Sequence, residues 1–357
     1  MIKKIGIWSC SLFTALGVGI SFGAIAQGNF DSAKSCRMVS AESCKIAKSL
    51  GRGINMGAML DAPKEGLWGL RVDPAYVSLV ASKFSNVRVP VRWSNHAEPT
   101  ADATLDDFFA RRVDTVIDSF LANGMYVVLN MHNYSQLFGD AVQPHEFAVD
   151  PDVVEARFLN MWRQIALRYK DRSPKLIFEL LNEPHSKLNG DPWNKLLVKA
   201  LKVVRESNPN RLVMIGPSDW NAARDLSKLQ LPADRNLIVT VHNYDPFFFT
   251  HQGIKWLPMK MPTGVTCCDA AQQKLIVDSL TLAKNWSVEN GYPIYVGEFG
   301  SYVAADLDSR ERYTRFVRDE FEKRGFSWAF WEFGSSFGVY DPKAGQWIEP
   351  IRRALLD

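Results

Sequence analysis

The sequence predicts an α/β fold, a (β/α)8 barrel forming one domain, and three observations lead there. Eight short apolar runs rich in Val, Ile, Leu and Phe recur along the chain. They do not alternate cleanly with polar residues, as strands of a parallel sheet buried on both faces should not. Amphipathic stretches with helical spacing separate them, and a strand–helix alternation of this kind closes into a barrel. Polar and ionisable residues collect immediately after the runs, at the ends where such a barrel has its mouth.

The first 26 residues stand apart from this pattern. Lys3 and Lys4 form a charged start, Ile5–Gly23 an apolar run, and Ala24-Ile25-Ala26 a small-residue cleavage site before Gln27. This is read as a cleavable secretory signal, with an uncleaved anchor as the alternative and the glycines at 17, 19 and 23 favouring cleavage. A secreted or periplasmic location follows, with residues 27–50 as an N-terminal extension and 51–357 as the barrel. Of five cysteines, Cys10 leaves with the signal and Cys36, Cys44, Cys267 and Cys268 remain, allowing three pairings. Cys36–Cys44 is the favoured bridge, worth roughly 2–3 kcal/mol for so short a loop. Adjacent Cys267 and Cys268 could form a vicinal disulfide, or each could pair with one of the N-terminal two. No spacing beside them suits zinc.

The strand-like runs are 53–58, 86–91, 126–131, 175–181, 212–216, 237–242, 294–298 and 327–331. Thr104-Leu105-Asp106-Asp107 reads as a capping-box variant opening a helix that Gly124 stops. Further helices are expected over 152–169, 191–208, 270–290 and 308–324, the last two closed by Gly291 and Gly325. No Pro/Ser linker, repeat or second module interrupts the order.

Composition narrows the function. At 46% apolar and 23% charged, with net charge +3 (nearer +1 without Lys3 and Lys4), the chain is neither disordered nor built to bind nucleic acid. Past the signal, no unbroken apolar run is long enough to span a membrane. Eleven Trp residues, many in loop contexts, point to stacking on flat apolar faces such as sugar rings.

The strand ends carry the chemistry. Arg88 lies in the second run, His132 ends the third, and Asn182-Glu183-Pro184 ends the fourth. His242-Asn243-Tyr244 ends the sixth, Glu298 within Gly297-Glu298-Phe299-Gly300 the seventh, and Trp331 the eighth. One His or Glu after a strand is usually structural or solvated. Stability alone has no use for two carboxyls converging on one mouth, since like charges raise a pKa at a cost.

On these residues, from about Gly51 to Trp347, the chain resembles glycoside hydrolase family 5, the cellulase-type members of a larger retaining clan. The segment Tyr244–Gly253 through Trp256 is similar to the long sixth loop of several bacterial endoglucanases. The resemblance implies a retaining endo-β-1,4-glucanase with Glu183 as acid/base and Glu298 as nucleophile, their carboxyls about 5–5.5 Å apart. It also implies that Asn182 binds the sugar 2-hydroxyl and that Trp331 forms the floor beneath the reacting ring. His132 is expected to bind that sugar or orient Glu298, and His242 to hold Glu183 or the adjacent sugar. Arg88 and the Tyr244 phenol, aimed at Glu298, would favour its ionised form. Trp93, Trp256, Trp220 and Trp68 are further stacking candidates, each as readily a core or rim aromatic.

The expected partner is a polysaccharide or oligosaccharide, with no cofactor and no metal, and the chain is expected to act as a monomer. Mannanase, xyloglucanase and mixed-linkage glucanase are the alternative activities, because loop shape decides substrate. An inactive glycan-binding barrel would keep the tryptophans and lose a carboxylate. Gly334-Ser335-Ser336-Phe337-Gly338 matches an esterase elbow, yet no helix pattern follows it and His251 precedes it. The six scattered His give no metal-ligand set beyond His132 and His242.

Overall fold

The computed structural model describes residues 33–143 and 145–357, so the signal segment lies outside the described residues. Eight parallel strands close a barrel in sequence order, β1 pairing with both β2 and β8. They are β1 (Arg52–Asn55), β2 (Asn86–Val91), β3 (Tyr126–Met131), β4 (Leu176–Glu179), β5 (Val213–Ile215), β6 (Leu237–His242), β7 (Ile294–Glu298) and β8 (Ser327–Phe330). All eight fall on the expected runs. Numbering only helices of eight residues or more, the chain has α1 (Ala41–Ser49), α2 (Pro74–Ala81), α3 (Asp107–Ala122), α4 (Val154–Arg168), α5 (Asp191–Ser207), α6 (Ala270–Asn290), α7 (Leu307–Lys323) and α8 (Glu349–Leu356).

Local chemistry sets the helix ends. Asp269 caps α6 in a reciprocal capping box with Gln272, and Gly291 ends it in the left-handed conformation that a glycine adopts without Cβ strain. At α3 the expected cap is corrected: Asp106, not Thr104, accepts from the Phe108 and Phe109 amides. Asp107 instead pairs with Arg111 one turn on. Three helices escaped the sequence reading: α1, α2 and α8. Between β5 and β6 the crossover is a 3₁₀ segment, Ala223–Lys228, rather than a full helix.

The strands divide their side chains between two cores. Val128, Ile177, Met214, Ile238, Tyr295 and Ala329, one from each of β3 to β8, cluster inside the barrel. Ile46, Ala47 and Leu50 join them, so α1 and the residue after it plug one end. Flanking residues such as Val127, Leu129, Phe178, Val239 and Val296 pack outward against the helices. Both faces are dry, which is why the runs read as continuous.

The next inward layer, two residues nearer the mouth, is polar: Asn130, Glu179 and Thr240 are fully buried, as is Arg88 beside them. The sulfur atoms of Cys36 and Cys44 lie 2.09 Å apart and those of Cys267 and Cys268 2.02 Å, matching the favoured pairing and the vicinal one. Among the described residues no helix is long and apolar enough to cross a membrane.

Candidate active site

Glu298 owes its orientation to an irregularity. Tyr295 faces the barrel interior, so strict alternation would send Gly297 inward and Glu298 outward. The ladder between β6 and β7 instead slips, pairing Val241 with Val296 but His242 with Glu298. The extra residue re-aims the Glu298 carboxyl into the mouth. It must be glycine: a Cβ at 297 would lie 2.7 Å from Thr240 Oγ1 and 2.9 Å from His242 Nε2. Glu183 reaches the same space from the segment after β4, where its φ of +48° turns the chain sharply. Bonds from Asn182 N to Met131 O (2.9 Å) and from Trp331 N to Phe299 O (2.8 Å) hold the neighbouring segments like extensions of the sheet.

One oxygen of Glu183, one of Glu298 and a ring nitrogen of His242 all lie within 4.8 Å of one another. The two carboxyls have different neighbours. Arg88 Nη1 donates to Glu298 Oε1 at 2.7 Å and the Tyr244 hydroxyl to Oε2 at 2.9 Å. Among the described residues no Lys or Arg pairs with Glu183; its Oε1 is 2.7 Å from His242 Nδ1. The Asn221 amide nitrogen, 3.3 Å from Nε2, can only donate. The neutral imidazole therefore carries its proton on Nδ1 and donates it to Glu183.

Burial pushes the Glu183 carboxyl up to about 7, with Arg88 and His185 pulling the other way. Burial also raises Glu298 above the ordinary carboxylate range, against His242, Arg88 and the Tyr244 hydrogen bond. The contacts expected to keep Glu298 ionised are thus present, yet desolvation outweighs them in the net shift. His242 is driven down to about 4, chiefly by burial, and is neutral near pH 7. Two carboxylates and an imidazole are donors a cation could use. Here a guanidinium, a phenol and an imidazole N–H already face the carboxyl oxygens, so the electrostatics oppose a metal ion.

The other expected residues gather around this pair. Asn182 Oδ1 accepts from Arg88 Nη2 at 2.7 Å, leaving its amide nitrogen to donate to a ligand. His132 Nδ1 is 2.9 Å from Asn130 Oδ1, and its ring lies parallel to Trp331 at 5.7 Å. Trp220 sits in three consecutive left-handed residues, Asp219 to Asn221, and stacks on His185 at 4.9 Å with its other face half exposed. Trp256 is exposed and edge-on to Tyr302 at 5.4 Å, while Trp68 lies under the Arg92 guanidinium at 5.5 Å. Trp93 is the correction: it is fully buried, edge-on to Phe109 at 5.8 Å, and has no face left for a sugar. The Ser335–Gly338 segment is loop and turn with no helix following, which removes the esterase elbow.

Several participants went unseen in the sequence. Glu179 grips Arg88, Asn221 sets the His242 tautomer, and His185 Nδ1 lies 2.6 Å from the Glu183 carbonyl oxygen. Asp61 and Glu332 form a buried acidic neighbourhood beside Trp331. Burial raises Asp61 to about 6, and burial with the Asp61 charge raises Glu332 to about 8. A lone carboxyl inside an apolar run, as in Leu176-Ile177-Phe178-Glu179-Leu180, was the one available signal among these.

A barrel whose mouth holds two facing carboxyls among aromatic side chains has the architecture of a glycoside hydrolase. Residues 55–336 match the family described as Cellulase (glycosyl hydrolase family 5), and the chain belongs to that family. It is 34% identical over 83% of its length to Endoglucanase H of Acetivibrio thermocellus, of which it covers 31%. It is 27% identical to Endoglucanase B of Clostridium cellulovorans, covering 86% of this chain and 73% of that one. The chain spans less than half of two curated relatives, Endoglucanase H and the Cellulase/esterase CelE of Acetivibrio thermocellus. Among solved structures, Thermotoga maritima Cel5A in complex with mannotriose superposes at TM-score 0.82 with 42% identity, over 87% of this chain and 99% of that one. A second structure of that protein holds cellobiose, at the same score and identity.

Proposed function

We propose that the chain is an exported, retaining, endo-acting β-1,4-glucanase. The observation that carries this is the pair Glu183 and Glu298, with oxygens within 4.8 Å and unlike partners. That spacing suits a nucleophile and an acid flanking one anomeric carbon, and is shorter than the roughly 6.5–9.5 Å that seats a water beside the sugar in single displacement. In the first step a Glu298 oxygen bonds to the anomeric carbon as the bond to the leaving oxygen breaks, and Glu183 gives that oxygen its proton. Esterified Glu298 has lost its charge, so Glu183 now ionises readily and takes a proton from water. The water oxygen replaces Glu298 at the anomeric carbon. Asn182 donates to the 2-hydroxyl, Trp331 carries the reacting ring, and His132 lines the same sugar. Trp220, against His185 beside Glu183, supports the leaving-group side.

The naming of relatives as endoglucanases supports the glucan reading. Mannan is the second reading, supported by the mannotriose complex of the Thermotoga relative. Export rests on the charged and apolar pattern of residues 1–26, and the two cysteine bridges suit an oxidising compartment.

Glu183→Gln and Glu298→Gln test the roles. Each should remove nearly all turnover of a β-glucan while the fold survives. On an aryl cellobioside with a good leaving group, the Glu183 variant should still release a burst of phenol and the Glu298 variant none. A burst from the Glu298 variant alone would reverse the assignment.

A further inference from the structure

Glu179 ends β4 with no exposure at all, so no sugar can touch it. Its two oxygens take Arg88 Nε at 2.7 Å and Nη2 at 2.8 Å, the paired geometry that fixes a guanidinium plane. The remaining Arg88 donors go to Asn55 Oδ1 (2.9 Å), Glu298 Oε1 (2.7 Å) and Asn182 Oδ1 (2.7 Å). All five N–H groups are used. One buried cation is thus shared between two carboxylates, only one of which faces the mouth.

We infer that Glu179 is a positioning residue that sets the basicity of Glu298, by holding Arg88 in plane and dividing its charge. The inference rests on Glu298 acting as the nucleophile. A guanidinium devoted wholly to Glu298 would stabilise its anion and blunt its attack. Sharing with Glu179 leaves the nucleophile aligned but less stabilised. Glu179 has a second effect after attack. When Glu298 becomes an ester its charge is gone, and Arg88 would be a buried cation without a counter-ion. Glu179 keeps it paired, so the covalent state is not penalised.

Other titratable groups facing Glu298 are Glu183 after β4, His242 on β6, Tyr244 after β6 and Glu332 after β8, with Tyr295 on its own strand. Glu179 hydrogen-bonds none of them, although its charge also raises Glu183, so its loss should lower the alkaline limb as well. A Glu179→Gln variant should move the acid limb of kcat/KM down by about one pH unit and slow glycosylation about tenfold. The phenol burst on an activated aryl cellobioside should then disappear, because the second step is no longer the slower one. Glu179→Asp keeps the charge, but its carboxylate is one methylene short of Nε and Nη2. It should leave the acid limb in place and slow glycosylation several-fold.

A folded Gln variant with the parent's acid limb and burst would overturn the inference. Should the Gln chain not fold, a parent-like burst rate in the Asp variant would overturn it equally. Trapping the parent with a 2-fluoro glycoside and locating the sugar by peptide mass keeps the two readings apart. No adduct on Glu298 refutes the double-displacement reading itself. An adduct with unmoved kinetics in both variants refutes only the role of Glu179.

Discussion

Burial raises the Glu183 carboxyl well above the ordinary carboxylate range, and that has a kinetic consequence. Its pKa is raised to about 7, so the acid form that its proposed role requires prevails below that value and is lost above it. On a natural β-glucan, kcat/KM should fall as pH rises through about 7. The residual activity of Glu183→Gln on an activated aryl glycoside should lack that alkaline limb. An unchanged limb in the variant would assign it to another group. The residues legible in the sequence, Arg88, His132, Asn182, Glu183, His242, Tyr244, Glu298 and Trp331, lie in or just after strand-like runs, which puts them in the mouth half of a barrel; for Glu298 the position was legible and its inward aim was not. Asn221, His185 and Glu332 were not legible because their roles are defined by a partner distant in sequence. Trp93 misled for the complementary reason, since an aromatic after a strand can face the core as easily as the cleft.

Elements were legible where burial and end signals agreed. The eight strands read as apolar runs because each is dry on both faces, and α6 announced itself through Asp269, Gln272 and Gly291. Helix α1 did not, because its sequence AESCKIAKS buries only Ile46 and Ala47 as fully apolar residues, beside Ser43 and a half-buried Cys44. Its importance comes from location: with Leu50 it caps the inner cluster at the end of the barrel opposite the mouth. Leu50→Ala removes a fully buried side chain there and should cost about 2–5 kcal/mol. Thermal unfolding should show a clear drop in Tm, with kcat at 25 °C near that of the parent. A Tm unchanged within a degree would mean that α1 does not plug the barrel. The bulge in β7 was invisible beforehand, since a register slip depends on the neighbouring strand.

At the scale of the whole molecule, buried titratable groups act on stability in opposing directions. His96, His242 and His251 are each driven down to about 4 and His132 well below its ordinary value, all chiefly by burial. The unfolded chain takes up protons on these groups below about pH 6.5, so they stabilise the fold as pH rises toward that value. Glu183 and Glu332, raised to about 7 and about 8, work the other way. Between pH 6.5 and 8 the unfolded chain's histidines shed only the remaining half of their protons, a smaller gain than the loss from these two carboxyls, which still hold protons that the unfolded chain has released. Stability should therefore fall across that window, by roughly 1 kcal/mol per pH unit for each carboxyl still protonated. Denaturant melts at pH 6.5 and 8.0 measure this, and greater stability at pH 8.0 would contradict it.

The proposed double displacement depends on Glu298 bonding to the sugar before water does, and the anomeric configuration of the first product reports on that directly. Proton NMR of early hydrolysis of a soluble β-1,4-glucan should show the β-anomer at the new reducing end, with the α-anomer growing in later by mutarotation. An α-anomer appearing first would mean that a water attacked in a single step, and the roles given to Glu183 and Glu298 would be wrong.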